Sequence, residues 1–559
     1  MASKSLPCII TDDEILSTCS ELIEQAVSTN DMNKCHGYIF AIKELILSSI
    51  SRKDEIDSTE NNLSCDLINK IYSYFGEFIN NTNGISANYP IKLLYLQIVA
   101  ILNDYKQLDT KMIDQLGNWF INENLTRFEL NGAKQLSLSI SCDILLNHYL
   151  HSGDGGTTID FIEFAINSDY FEVVLKIIEI CNLKIEYLSN DIVKLLIEYL
   201  WKIILNESEW SFTKSRSLDL LKNLLLMNNS LDISQNEEDS DDDDFTKKIN
   251  VLTQLIEESD NEDIKCNCLE TLSPFIYYYL VKLELDDNKF GFFKKWIKNV
   301  ERFNNDDNSF NFRKASIKSL ILILNLMIEN KELKFESSEY YGSCIFQLFS
   351  FLFDDDEELR NMSSVFISKK LMNLKFSVLP ISVIKNFNQF IEDEFASEEG
   401  FKVLLKLMKS YNLFNEVNKN YENFSKLFVE DYLLFTIEKQ NLYKNQIELN
   451  NIKNSLFLSL SKKDEKSNKL IVGSINSDRI HSTLSSIYNT VKDQDIDGAF
   501  GWTDDEDIFN TISCCLSDCA TYDELTNEKN FGEAAHKLYS EFKAKKVHYI
   551  LSRQLEKLL

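Results

Sequence analysis

An all-α solenoid of the HEAT/armadillo-like helical-repeat type is the fold class this sequence predicts, and three observations predict it. Only 15 glycines and 4 prolines occur in 559 residues, too few turn-formers for a β-rich or doubly wound protein. Apolar residues recur three and four apart, the period of a helix with one buried face, and not in the alternation of a strand. A short acidic or polar turn, a basic residue early in the next helix, and then small and aliphatic residues return repeatedly along the chain.

The pattern is clearest from Asn308 to Leu320, where Ala315, Ile317, Leu320, Ile321 and Leu324 fall on one helical face behind Arg313. Asp354–Arg360 leads in the same way into Asn361–Ile367, and Asn261–Lys265 into Cys266–Leu272. Ser211–Arg216 and Arg127–Leu130 precede two further examples. Carboxylates ahead of a helix suit its positive N-terminal end, and small residues allow close packing on a neighbour, so these read as second helices of helix pairs.

Residues 1–50 read as two helices, the second beginning near Met32. Apolar spacing continues through Leu67, Ile68, Ile71 and Tyr72 to Phe75 and breaks at Asn80–Gly84. Residues 90–150 give further pairs and end at His151–Gly156, which lacks the Lys-Ser/Thr of a phosphate-binding loop and reads as an inter-repeat turn. Phe161–Ile166 and Val173–Ile178 form the next pair, and residues 190–228 another. The expected organisation is N-terminal repeats over 1–234, an acidic disordered loop over 235–246 and central repeats over 247–460. A polar linker over 461–470 and C-terminal repeats over 471–559 complete it. Near its end, Gly498–Phe509 reads as a turn feeding a helix. Roughly a dozen helix pairs of about 35–47 residues account for the length.

Composition limits the function classes. A formal charge of −30 argues against holding nucleic acid over the whole surface, though not against a local basic patch. No apolar run approaches the roughly 20 residues of a membrane span. The N-terminal residues run straight into Thr11-Asp12-Asp13-Glu14 without an apolar signal core, so the cytoplasm is the expected location. Twelve scattered cysteines read as reduced core residues.

No catalytic constellation emerges. Cys514, Cys515 and Cys519 form the densest thiol cluster but lack a second ligand pair for zinc, so core packing is expected. Cys266 and Cys268 should point to opposite sides of a helix, and His36 reads as a cap or a packed ring. No Gly-rich strand–helix unit for S-adenosylmethionine is present, so no cofactor and no small-molecule substrate are expected. The candidate contact surface for RNA or a partner is Lys294, Lys295 and Lys298 beside Phe292, Phe293 and Trp296, with Arg302, Arg313 and Lys314 following. A competing reading places Phe293, Trp296 and Ile297 in the core with the lysines in solvent. Arg313 and Arg360 are expected to pair with carboxylates of the adjacent turn. Lys543–Lys546 is a second basic candidate.

Five stretches, in order, resemble the C-terminal third of the THADA family: Asn33–Leu45 with its His36-Gly37, Ile166–Val173, Asn308–Ser316, Asp354–Arg360, and Gly501–Phe509 with its Gly-Trp. Two departures stand out: Phe171 separates Tyr170 from Glu172, and Ser309 stands where the family commonly has proline. These are large HEAT-like proteins, usually far longer than this chain, and only the role of the matching region is carried over. The resemblance implies a non-catalytic regulatory subunit of the fungal anticodon-loop tRNA 2′-O-methyltransferase. Its partners would be the catalytic subunit and tRNA, with the methyl donor and catalytic residues on the partner. A general protein-interaction adaptor, such as a transport receptor, assembly chaperone or phosphatase scaffold, shares the helix-pair signature and the acidic balance.

Overall fold

The computed structural model describes residues 10, 12–54, 65–81, 85, 88–126, 131–152, 155–227, 241–282, 291–305, 307–329, 339–376, 379–394, 446–462, 465–497 and 501–559. Among the described residues there is no strand. The chain folds as a HEAT/armadillo-like array divided into two compact units, Met1–Ile233 and Ser234–Leu559.

In the first unit the helices are α1 (Asp12–Ser28), α2 (Met32–Asp54), α3 (Cys65–Ser73), α4 (Phe75–Ile79), α5 (Tyr89–Asn103) and α6 (Thr110–Leu125). They continue as α7 (Gly132–Ser152), α8 (Gly155–Ile166), α9 (Phe171–Leu183), α10 (Asn190–Leu205) and α11 (Ser211–Met227). The second helices α2, α5, α7, α9 and α11 each pack on the next, while first helices meet as α1 on α3, α4 on α6 and α8 on α10. Leu45, Val99, Leu138, Cys142, Ile177, Cys181 and Leu221 line the second-helix stack and are buried. Each such aliphatic side chain contributes about 1.5–3 kcal/mol on burial. Tyr95 stacks on Phe78 with ring centroids 4.3 Å apart.

Polar residues set where helices begin. Asp31 Oδ1 accepts from Asn33 N at 2.9 Å and Asp109 Oδ1 from Met112 N at 2.8 Å, satisfying amide groups that have no partner inside the helix. His36, expected as a cap or packed ring, is neither: Asp31 makes the cap, and the imidazole lies in solvent. Arg127–Leu130 lies outside the described residues.

The second unit contains α12 (Asp241–Glu258), α13 (Glu262–Lys282), α14 (Gly291–Phe303), α15 (Phe310–Glu329), α16 (Glu339–Ser350), α17 (Glu357–Phe366) and α18 (Pro380–Glu394). After them come α19 (Gln446–Ser461), α20 (Glu465–Ser474), α21 (Ser477–Asp493), α22 (Glu506–Thr526), α23 (Gly532–Lys545) and α24 (Tyr549–Leu558). Second helices α13, α15 and α17 stack in order, as do α19, α22 and α24. The terminal core is built on Leu484, Ile487, Ile512, Cys515, Cys519, Phe531, Leu538 and Leu551.

Two segments differ from the sequence reading. Residues 241–246, expected in the acidic loop, begin α12, because an acidic run is tolerated at the N-terminal end of a helix where the backbone dipole favours negative charge. Residues 235–240 lie outside the described residues, as do 395–445 of the expected central repeats. The expected polar linker 461–470 is largely helical: α19 runs to Ser461 and α20 starts at Glu465, with Ile471 buried on its inner face. A helix needs only one apolar stripe, so a segment polar elsewhere still packs.

Candidate interaction surface

The basic residue that recurs early in second helices falls at their third or fourth position: Lys92, Lys134, Lys214, Lys265, Arg313 and Arg360. Several reach across to the neighbouring repeat. Lys134 is buried; its Nζ donates to Thr126 Oγ1 at 2.8 Å and lies 3.3 Å from Glu123 Oε2, between the rings of Tyr89 and Tyr170. Arg313 Nη1 meets Asp354 Oδ1 at 2.5 Å, with side chains 11% and 2% exposed. Arg360 Nη1 donates to the backbone carbonyls of Asp354 and Asp355 at 2.6 and 2.8 Å. Arg313 thus pairs with the next turn's carboxylate as expected, whereas these Arg360 bonds go to main-chain oxygens of its own turn.

These contacts sort the candidate cations. On α14, Phe293, Trp296, Ile297, Val300 and Phe303 are buried, and Phe293 packs edge-on against Tyr340 at 4.7 Å. Phe293 and Trp296 therefore belong to the core and form no stacking platform. Lys294, Lys295, Lys298 and Arg302 are all exposed. Their spacing of one, four and eight residues from Lys294 gathers them into one stripe, a local basic face on an acidic chain. Arg313 is held in its ion pair, and Lys314 Nζ sits 2.6 Å from Glu358 and 5.0 Å from the Phe310 ring centroid. The structure brings four of the six cations together on α14 and ties the other two between α15 and the turn or helix that follows α16.

The cysteine clusters are packing elements. Cys514, Cys515 and Cys519 lie in the C-terminal core; a thiol hydrogen bond with Cys519 and burial push Cys515 well up. Cys266 and Cys268 are both buried, as residues on different sides of one helix can be where α13 is enclosed by α12, α14 and α15. Among the described residues no group of three or more His, Cys, Asp or Glu side chains is placed to hold a metal ion. No described helix is long and apolar enough to cross a membrane.

The resembling stretches act as joints. Ser309 donates to Glu262 Oε1 at 2.5 Å and thereby links α13 to the start of α15. In the Gly-Trp stretch, Trp502 Nε1 donates to Asp495 O at 3.3 Å, and Asp505 caps α22 by accepting from Ile508 N at 2.8 Å. Asp497 is buried beside them and accepts from Thr503 Oγ1, Thr503 N and His548 N.

Two surfaces escaped the sequence reading. Trp210 is 69% exposed and stacks on Phe171 at 5.3 Å, with Phe212 beneath the Arg216 guanidinium nearby in sequence. Trp210 stands just ahead of α11, out of phase with that helix's apolar stripe, which was the available signal. The second is an open groove of about 790 Å³ on α15 and α17. Its lining combines Ile321 with residues from the separate stretch Glu357–Lys370, and nothing in the local sequence announces it.

Residues 407–559 match the family model described as the Trm72 ARM-like repeat region, Trm732_C, and of the resembling stretches Gly501–Phe509 lies within them. Among solved structures, importin beta aligns over 98% of this chain and 70% of its own, at 11% identity and a TM-score of 0.35. Kap121p aligns over 99% of this chain and 67% of its own, at 10% identity and a TM-score of 0.34.

Proposed function

We propose that this chain is a non-catalytic scaffold subunit that helps a partner methyltransferase 2′-O-methylate a ribose in the tRNA anticodon loop. The observation that carries the reading is the match of residues 407–559 to the Trm72 ARM-like repeat region, on a chain that is helical repeats in both units. The contribution is geometric. A stack of helix pairs offers a long, preformed surface, and holding enzyme and tRNA in register lowers the entropic part of the barrier without a catalytic side chain of its own. The methyl donor, the base and the reacting site belong to the partner, and the complex acts in the cytoplasm.

In this reading the stripe Lys294, Lys295, Lys298 and Arg302 contacts tRNA phosphates, because four exposed cations on one helix concentrate positive charge on an otherwise acidic chain. Each phosphate neutralised adds close to one to the slope of log affinity against log salt.

Affinity purification of the tagged chain from its own cells, with proteins and RNAs identified together, tests the reading. Recovery of an S-adenosylmethionine-dependent RNA methyltransferase with tRNA supports it, as does loss of anticodon-loop ribose methylation in a deletion strain. A different stoichiometric protein without either, and unchanged methylation, overturns it and leaves a general helical-repeat adaptor. Reversing all four cations to glutamate tests the phosphate contact: tRNA affinity of the complex should fall and its salt slope flatten by about 3–4. An unchanged slope would remove this helix from the interface.

A further inference from the structure

The groove on α15 and α17 has a floor and two unlike ends. Ile321, Met362, Val365 and Phe366 supply the apolar floor, and Val365 is 41% exposed although it lies on a repeat helix. At the start of α17 stand Glu357 and Glu358; at its far end stand Lys369 and Lys370. All four charged residues are exposed. Glu358 also meets Lys314, an exposed pair that contributes at most about 1 kcal/mol and can be shared.

The far end has unusual backbone. Ile367–Leu371 is a π-helical turn closed by Met372 N donating to Ile367 O at 2.8 Å, and Asn373 follows in the left-handed region at φ 52°. Single widened turns of this kind are rare and are frequently found at functional sites. Here Ile367 and Ser368 are buried while consecutive Lys369 and Lys370 both reach solvent. From Glu357 to Lys370 the helical rise is about 20 Å, the length of a helix of about four turns.

We propose that this groove docks an amphipathic helix from a protein partner, lying antiparallel to α17, with acidic residues in its first turn and basic residues in its last. The orientation follows from charge. A partner helix running antiparallel brings its N-terminal end to Lys369 and Lys370 and its C-terminal end to Glu357 and Glu358. Acidic residues are favoured at helix N-termini and basic ones at C-termini, so that helix satisfies its own dipole and the groove's ends together. Its apolar residues at i, i+3, i+4 and i+7 would cover Met362, Val365 and Phe366, the usual mode of helix-in-groove recognition. The inference is independent of the methylation reading, since it needs only the groove.

The test uses the full chain and two labelled peptides of about 15 residues, matched to the helical rise above. Both carry leucines at i, i+3, i+4 and i+7. One has a glutamate-rich first turn and lysine-rich last turn; the other has these ends exchanged. Fluorescence anisotropy should show the first binding at least about tenfold more tightly. Val365→Asp should abolish that binding with circular dichroism and unfolding midpoint unchanged. Lys369→Glu with Lys370→Glu leaves both ends of the groove acidic and should abolish the preference between the two peptides. Equal binding of both peptides, or binding insensitive to Val365→Asp, would overturn the proposal. So would concentration-dependent self-association in sedimentation that Val365→Asp abolishes, because the occupant would then be a second copy of this chain.

Discussion

Replacing Asp354 by alanine would strand a buried arginine between two repeats. Arg313 and Asp354 are 11% and 2% exposed at their side chains and 2.5 Å apart, so neither charge has bulk water to fall back on. Removing one member of such a pair costs about 3–5 kcal/mol, mostly as the penalty of the charge left behind. The same Oδ1 accepts from Asp356 N at 2.8 Å at the turn into α17, a bond whose loss adds about 1 kcal/mol. A total of about 4–6 kcal/mol raises the opening constant of the α15–α17 junction by at least about a thousandfold. Hydrogen exchange is the suitable assay, because repeat arrays open locally and exchange reads each junction separately. Amides of α15 and α17 should lose protection in Asp354→Ala, while those of α1–α11 keep theirs. The double variant Arg313→Met, Asp354→Leu should regain most of the loss, since no charge is then buried without a partner. A loss below about 1 kcal/mol in the single variant would refute the reasoning, because it would show that the pair behaves as a solvated one. A double variant no better than the single would refute it equally.

Four further outcomes are expected. Asp497→Ala should loosen the joint between the Gly-Trp stretch and the start of α24, costing about 2–3 kcal/mol because Thr503 N and His548 N lose a buried acceptor; urea unfolding of the second unit reads it. Asp143 and Asp219 should respond to pH in opposite senses. Burial raises the Asp143 carboxyl above the ordinary range despite Lys176, so its stabilising effect is complete below that range and is lost as pH rises through the raised value; Asp143→Asn should flatten the decline. Burial also pushes Asp219 up, but Lys222 and Asn182 outweigh it and hold the carboxyl low, so its contribution is present above the ordinary range and lost as pH falls through the lowered value. Asp219→Asn should therefore lower the urea midpoint at neutral pH and leave it unchanged in acid. Burial pushes Cys35 up to about 11 and Cys19 and Cys181 up to about 12, whereas Cys65 is exposed; a thiol reagent at about pH 8 should label Cys65 in the native chain and reach the other three only on unfolding. Trp296→Ala should cost about 3–5 kcal/mol and Trp210→Ala no more than about 1, compared by thermal unfolding, since the first ring is buried and the second is a surface stack.

Much of the architecture was legible in the chain itself. The three-and-four spacing of Ile317, Leu320 and Leu324 marks a buried face wherever the helix docks, and all three are buried. The amphipathic reading of α14 succeeded for the same reason: Phe293, Trp296 and Ile297 can all turn inward only if Lys294, Lys295 and Lys298 turn outward. Polarity misled the reading where a segment had charge but still kept one apolar stripe, as in α20, and where an acidic run opened α12. His36 misled it because the imidazole looked like a cap while Asp31, five residues earlier, supplied the oxygen.

By itself the sequence determined the helical class, the phase of the buried stripes and the repeated basic position, because these depend on periodicity within one or two turns of backbone. The structure alone decided that Lys314 is tied up and which carboxylate Arg313 takes. Arg313 finds Asp354 at a distance of 41 residues and Lys314 finds Glu358 at 44, while the α14 stripe finds solvent. The groove was likewise decided in three dimensions, since Ile321 meets Met362 and Val365 only when α15 lies against α17. The physical reason is the same in each case: periodicity is a property of neighbours along the chain, whereas pairing and concavity arise from neighbours in space.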